Sequence, residues 1–258
     1  MKMYVCQAST IHTNRAAMVA GVASESIEIP VPFFLFEHEK GYVLYDTGHS
    51  EATIKDTKAA IGEALYAGFR PELNNDNHVL SYLKKVGVSP EDIKYVICSH
   101  LHFDHCGGMG YFPNATYIVQ RAELQYAYVP DYFYEFAYLR EDFDKGLNWL
   151  FLNGWADNKH DVFGDGRLVI YYTPGHTPGH QSLMVNLDND GTFMLTADAC
   201  YTYDNLNDFK LSGLVADNSA YASNIMMFRD MRNRGINVLL GHDPDQWKTT
   251  KKFPEFYS

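Results

Sequence analysis

Thiols are scarce in this chain of 258 residues: Cys6, Cys98, Cys106 and Cys200 stand alone, with no CxxC pair among them. That pattern argues against a disulfide framework or a thiolate zinc cage and suits reduced thiols in a cytoplasm, the location expected here. Long apolar runs are missing too. No stretch approaches the ~18 residues that span a bilayer, and the opening MKMYVCQASTIHTNR has no apolar core of an export signal. Positive charge is the third shortage. Lys and Arg total 21 against 32 Asp and Glu, a formal net charge of −11, and no Lys/Arg run builds a basic groove. Such a surface repels phosphate backbones and anionic lipid, so neither a nucleic-acid nor a membrane partner is expected.

What is present points to a globular α/β chain. The apolar fraction is 46%, and aromatics are plentiful, with 19 Tyr and 16 Phe. The length suits one domain over 1–258 with a large core. Strands are expected at Met3–Gln7, Phe33–Glu37 and Tyr42–Asp46, then a helix over Asn77–Lys85 stopped by Gly87, then a strand at Ile93–Cys98. A second set follows the same order: strands at Leu168–Tyr172, Ser182–Leu187 and Thr192–Thr196, a helix from Asp217 as N-cap to Arg234, and a strand at Ile236–Leu240. Strands then helix, twice, suggest two sheets packed face to face with helices outside. Between the two sets, an aromatic-rich segment of about 121–160 is expected to be a helical insertion. It carries Tyr126, Tyr128, Tyr132, Phe133, Tyr134, Phe136, Tyr138, Phe143, Trp149, Phe151 and Trp155. Its expected use is a lid over an apolar substrate, a dimer surface, or packing against the sandwich.

Metal-type residues recur at the ends of the strands. Directly after Ile93–Cys98 come His100, His102, Asp104 and His105, in the pattern HxHxDH followed by Gly107-Gly108. Imidazole nitrogen with carboxylate oxygen suits a borderline cation such as Zn²⁺, and no thiolate cluster competes. On an extended loop His100 and His102 point the same way, and the spacing can feed two ions. His176 follows the strand at 168–172, Asp198 the strand TFMLT, and His242 the run VLL. Together they complete two coordination spheres, with Asp198 free to bridge, an arrangement suited to metal-assisted hydrolysis.

This set, preceded by Leu44-Tyr-Asp46-Thr-Gly48, resembles the metallo-β-lactamase superfamily from Tyr42 to His242. The resemblance implies an αββα sandwich with the site at one edge. It implies His100, His102 and His176 on one zinc, Asp104, His105 and His242 on the other, Asp198 between them, and Asp46 anchoring the loop. Within the superfamily the departures narrow the choice. Histidine at 102 speaks against the flavodiiron branch, Asp198 against true β-lactamases, and the 16 residues after His242 against the helical domain of glyoxalase II.

The strings SHLHFDHCGG (99–108), Tyr172-TPGHTPGHQS, Asp198-x-x-Tyr201 and Phe253-Pro-Glu-Phe are most similar to the N-acyl-homoserine lactonases. That likeness implies a small-molecule lactone substrate, two Zn²⁺ per chain with Mn, Co or Fe as substitutes, and a monomer or homodimer. It further implies lactone opening by a hydroxide held between the metals, with Tyr201 bonding the oxyanion and Asp104 carrying the proton to the departing oxygen. Over 59–69, where the family presents large apolar residues to the acyl chain, Ala60 and Ala64 are small, leaving Leu65 and Phe69 for that contact. Cys106 and Cys200, beside ligands, are expected to be buried small residues rather than ligands. Alternative readings are a simpler γ-butyrolactone-type lactonase, a thioester or phosphodiester hydrolase on the same metals, and an iron-dependent persulfide dioxygenase.

Overall fold

Alternation of side chains across buried strands decides the architecture. In the computed structural model, which describes every residue except Tyr134 and Asp157, twelve strands form two sheets. The strands are β1 (Lys2–Asn14), β2 (Ser26–His38), β3 (Gly41–Tyr45), β4 (Arg70–Glu72), β5 (Ile93–Ile97), β6 (Thr116–Gln120), β7 (Trp149–Leu152), β8 (Lys159–Asp161), β9 (Leu168–Tyr172), β10 (Gln181–Asn186), β11 (Thr192–Leu195) and β12 (Asn237–Leu239). One sheet has the order β4-β1-β2-β3-β5-β6-β7 and the other β12-β11-β10-β9-β8. Both are mixed: β3, β5, β6 and β7 run parallel, as do β11 and β12, and the remaining pairs are antiparallel.

The central strands of the first sheet are buried on both faces, so β3, β5, β6 and the inner stretches of β1 and β2 are mostly apolar. Met3, Val5, Phe34, Phe36, Val43 and Tyr45 point toward the second sheet and pack with Leu168, Ile170, Leu183 and Leu195. Their neighbours Tyr4, Cys6, Phe33, Leu35 and Leu44 point the other way, into a core with Leu83 of the helix Val79–Val86. The helix Asn218–Asn233 covers the second sheet through Ile225 and Phe228. Its N-cap Asp217 accepts hydrogen bonds from Ser219 N and Ala220 N, and Gly235 follows its end in the left-handed region, φ +87°. The αββα sandwich is thus as expected, and no helix among the described residues is long and apolar enough to cross a membrane.

The segment 121–160 departs from the expectation of a helical insertion. It holds the helix Arg121–Tyr128, two shorter helical turns, and then β7 and β8, each an edge strand of a different sheet. The run Trp149–Leu152 (WLFL) carries no helical period and extends the first sheet beside β6, with Tyr117 opposite Trp149 and Gln120 opposite Leu152. Its aromatic residues divide by fate. Tyr138 and Phe143 are buried, whereas Tyr132, Phe133 and Trp155 are exposed; Tyr134 lies outside the described residues.

One side chain fastens the sheets under the site. Gln181, fully buried, donates from Nε2 to Cys98 O (2.8 Å) and Ile118 O (3.1 Å). Its own carbonyl accepts from Tyr45 Oη at 2.9 Å. The C-terminal ends of β3, β5, β9, β11 and β12 therefore meet at one edge of the sandwich, and every metal-type residue lies just beyond one of them.

Candidate metal centre

The HxHxDH segment leaves β5 as a tight loop bound to the end of β3. Asp46, itself in the left-handed region (φ +60°), accepts from Ser99 N at 2.7 Å, Ser99 Oγ at 2.8 Å and His105 Nδ1 at 2.9 Å. Thr47 N and Oγ1 both donate to His105 O. Gly107 must be glycine, because a Cβ there would lie 2.3 Å from Ser50 N. The loop is held this close so that its side chains converge.

They converge in two buried groups. His100, His102, His176 and Asp198 offer ligand atoms within 4.8 Å of one another, as do Asp104, His105 and His242. Asp198 serves both. Its Oδ2 lies 3.3 Å from His176 Nε2 and 3.7 Å from His100 Nε2, while its Oδ1 lies 3.2 Å from His105 Nε2 and 3.0 Å from His242 Nε2. Asp104 Oδ2 stands 3.6 Å from His105 Nε2.

The hydrogen-bond directions show what these groups require. Ser99 Oγ donates to Asp46, so it accepts from His100 Nδ1 at 2.9 Å, and His100 Nε2 is left as a lone pair. His176 Nδ1 donates to Leu214 O at 2.9 Å, so its Nε2 is a lone pair as well. The two lone pairs face each other at 3.2 Å, and His102 Nδ1 lies 3.1 Å from His176 Nε2. His105 donates Nδ1–H to Asp46 and turns Nε2 toward Asp198 Oδ1 at 3.2 Å. His242 donates Nδ1–H to Pro30 O at 2.7 Å and turns Nε2 to the same carboxylate oxygen at 3.0 Å. The facing lone pairs of His100 and His176 repel unless a cation sits between them. The spacing fits one, since a tetrahedral ion with 2.0–2.1 Å arms has edges of about 3.3 Å.

Burial and neighbouring charge divide the same groups by protonation. Burial lowers the pKa of His100, His102 and His176, with neighbouring histidines adding to it for the first two, so all three are neutral donors. Burial also opposes charge on His105 and His242, yet nearby carboxylates outweigh it: Asp104, Asp198 and Asp46 hold His105 well above its usual value, and Asp198 raises His242. Asp198 is held well below the carboxylate range despite its burial, by His105, His242, His100 and His176.

A narrow cavity opens onto this centre. His102, Asp104, His176, Asp198 and His242 form its floor together with Tyr201; Leu65 and Phe69, the expected substrate contacts, line its wall. Sequence reasoning missed the rest of that wall, including Ile11, Met18, Ile29, Phe136 and Leu214. These come from separate elements, and nothing in their local pattern marks them apart from core. Phe136 is the aromatic segment's contribution. Tyr201 Oη lies 2.9 Å from His176 Nδ1 and its ring stacks on His242, centroids 5.5 Å apart. Because His176 Nδ1 carries the proton, that N–H is shared between Leu214 O and Tyr201 Oη, and the phenol's own O–H is left to face the Asp198 carboxylate at the cavity floor. Burial, reinforced by Asp198, keeps that phenol protonated.

His180, the second histidine of the PGHTPGH string, lies behind the floor. Its Nε2 accepts from Asp198 N at 3.1 Å, so its Nδ1 donates to Thr173 Oγ1 at 2.9 Å. The chain continues to Ser182 Oγ and Thr196 O. This fixes the turn that carries Asp198. Other candidates are not brought in. Cys106 is buried with Sγ toward Leu101 O, Cys200 is buried as well, and burial pushes both thiols up, away from thiolate. His49 pairs with Ser9 Oγ at 2.8 Å and does not line the cavity.

The metallo-beta-lactamase superfamily model matches residues 28–242. The chain is 42% identical to an N-acyl homoserine lactonase AttM of Rhizobium radiobacter, over 100% of this chain and 99% of that protein. It is 34% identical to an N-acyl homoserine lactonase of Bacillus cereus, over 99% and 98%. Among solved structures, an N-acyl homoserine lactone hydrolase with the product N-hexanoyl-L-homoserine at its catalytic metal centre superposes with a TM-score of 0.88 at 30% identity, covering 99% of this chain and 98% of that one. A variant of Bacillus thuringiensis AiiA with N-decanoyl-L-homoserine at its active site gives the same score. The αββα frame, the paired His/Asp groups and these likenesses agree: the chain belongs to the metallo-beta-lactamase superfamily, within its N-acyl homoserine lactonases.

Proposed function

We propose that this protein hydrolyses the lactone ring of N-acyl-homoserine lactones at a two-zinc centre. His100, His102 and His176 would hold one ion and Asp104, His105 and His242 the other, with Asp198 between the two groups. Zinc suits the mixture of imidazole and carboxylate donors, with manganese, cobalt or iron able to take the same ligands. Two such cations supply a nucleophilic hydroxide at neutral pH and polarise the carbonyl under attack.

The observation that carries this reading is the junction of Tyr201, the ligand floor and an apolar wall in one cavity. A substrate must then join a polar, hydrolysable head to an apolar tail. Leu65 and Phe69 take the tail and exclude water from the head. Tyr201, protonated and oriented by His176, donates to the carbonyl oxygen as it gains charge, a contribution on the order of 3 kcal/mol. The departing ring oxygen needs a proton, and Asp104, whose carboxylate borders the same cavity, takes the proton that the attacking oxygen gives up and passes it on. The product is the ring-opened N-acyl-homoserine. The four cysteines, buried and unpaired, are consistent with work in the reducing cytoplasm.

A pH-indicator assay over homoserine lactones of increasing acyl length, with a thioester and a phosphodiester as controls, tests this. Turnover of the acylated lactones above the controls is expected. A metal-loaded enzyme that turned over no lactone would remove the function and leave the fold untouched.

A further inference from the structure

We infer that Glu123 is a positioning residue for the three-histidine metal place: its buried carboxylate binds together the two loops that carry His100, His102 and His176. The inference rests on the two-metal reading given above. Glu123 lies in the first turn of the helix Arg121–Tyr128 and is fully buried, an unusual place for a carboxylate with no cationic partner among its hydrogen bonds. Four donors satisfy it. Oε1 accepts from Leu101 N at 3.0 Å and Tyr138 Oη at 3.1 Å; Oε2 accepts from Thr177 Oγ1 at 2.6 Å and Gly179 N at 3.2 Å.

The position of each donor gives the carboxylate its role. Leu101 is the residue between His100 and His102, and Thr177 directly follows His176. Tyr138 packs against His102, ring centroids 4.5 Å apart. One side chain thus ties all three imidazoles of one group to a single point, and it reaches none of Asp104, His105 or His242 through these bonds. Contact with the reacting atoms is absent, since Glu123 does not border the cavity. Gly179 packs so tightly on the helix that a Cβ there would lie 2.1 Å from Glu123 N, so the approach is built into the loop.

The charge matters as well as the shape. Hydroxyls can reverse direction, but main-chain N–H groups cannot, and one faces each oxygen of Glu123: Leu101 N at Oε1 and Gly179 N at Oε2. A glutamine would turn its NH₂ on one of them whichever way it sat. The carboxylate also places a negative charge behind three neutral ligands whose one anionic partner, Asp198, is shared.

Equilibrium zinc titration of the purified protein against a chromophoric chelator reads this directly. Wild type is expected to bind two equivalents. Glu123→Gln should weaken one equivalent by ~10–100-fold, the range for partners behind metal ligands, and leave the other within about twofold. His242→Ala, which removes one donor of the other group, should weaken the opposite equivalent, so that the double variant loses both. Tyr138→Phe, missing one donor, should shift the same equivalent as Glu123→Gln by a smaller factor; it carries the test if Glu123→Gln does not fold. Two equivalents bound as in wild type by both Glu123→Gln and Tyr138→Phe would overturn the inference. So would equal weakening of both sites in step with a fall in Tm, which marks general loosening. A wild-type chain binding fewer than two ions would overturn the two-metal reading and the inference with it.

Discussion

At the scale of residues, four of the five imidazoles in the centre are aimed from behind. His100 is held by Ser99 Oγ, His105 by Asp46, His176 by Leu214 O and His242 by Pro30 O, whereas His102 is placed by its ring packing on Tyr138. Tyr201 differs in kind, because its hydroxyl accepts from a ligand and keeps its own proton to give. Tyr201→Phe is therefore expected to lower kcat by ~100-fold, the cost of one missing oxyanion donor, while zinc per chain stays at the wild-type level. Full activity in that variant would end the assignment. The seven metal-type residues were legible because chemistry, order and strand-end placement coincided in the chain. His180 stands in the same Tyr172-TPGHTPGHQS string as His176, and its bond to Asp198 N gives it the task of fixing the turn that carries Asp198. Glu123 was not legible. A glutamate near a helix start looks solvated, and its four partners come from three other segments.

At the scale of elements, strands were readable where alternation was strong and cut short where it turned polar. The expected Met3–Gln7 continues as β1 to Asn14 through Ser9, Thr10, His12 and Thr13, because β2 and β4 supply hydrogen bonds on both sides. Edge strands such as β8 pair on one side only and have little apolar signal. Loop packing gives a sharper expectation. Gly179→Ala forces a Cβ into the helix Arg121–Tyr128 and should cost several degrees in Tm and most of the activity, whereas Gly146→Ala, which meets nothing within 4 Å, should cost neither. Thermal melts with the activity assay distinguish the two; equal behaviour would show that the loop has room to yield.

At the scale of the whole molecule, a chain of net charge −11 gathers buried carboxylates in one place and relies on bound cations to reconcile them. Removing both metals with a chelator should lower Tm on the order of 10 °C, by loss of ligand binding to the native state alone, and zinc should restore it. An unchanged Tm would mean that the centre contributes nothing to the fold. A second global expectation concerns Asp142, pushed up to about 7 by burial, with Lys145 opposing and Glu141 adding. Its Oδ2 has no hydrogen-bond partner. The folded pKa lies above the ordinary 3.8, so the stability tied to its proton is complete below 3.8 and lost as pH rises through about 7. Asp142→Asn should then stabilise the protein at pH 8 by about 1–3 kcal/mol and change little at pH 4. Urea denaturation at both pH values checks the sign, and equal shifts at the two would refute it.

The ligands stand at strand ends that Gln181 and the His180 chain tie into both sheets, whereas Leu65 and Phe69 sit at the end of a run of short helices between Glu51 and Gly68. Mutations therefore fall on two separate ledges of the molecule. With Leu65 and Phe69 taking the acyl tail as proposed, substitutions on the helices should resize the guest while the groups at the strand ends, and so the reaction, stay as they are.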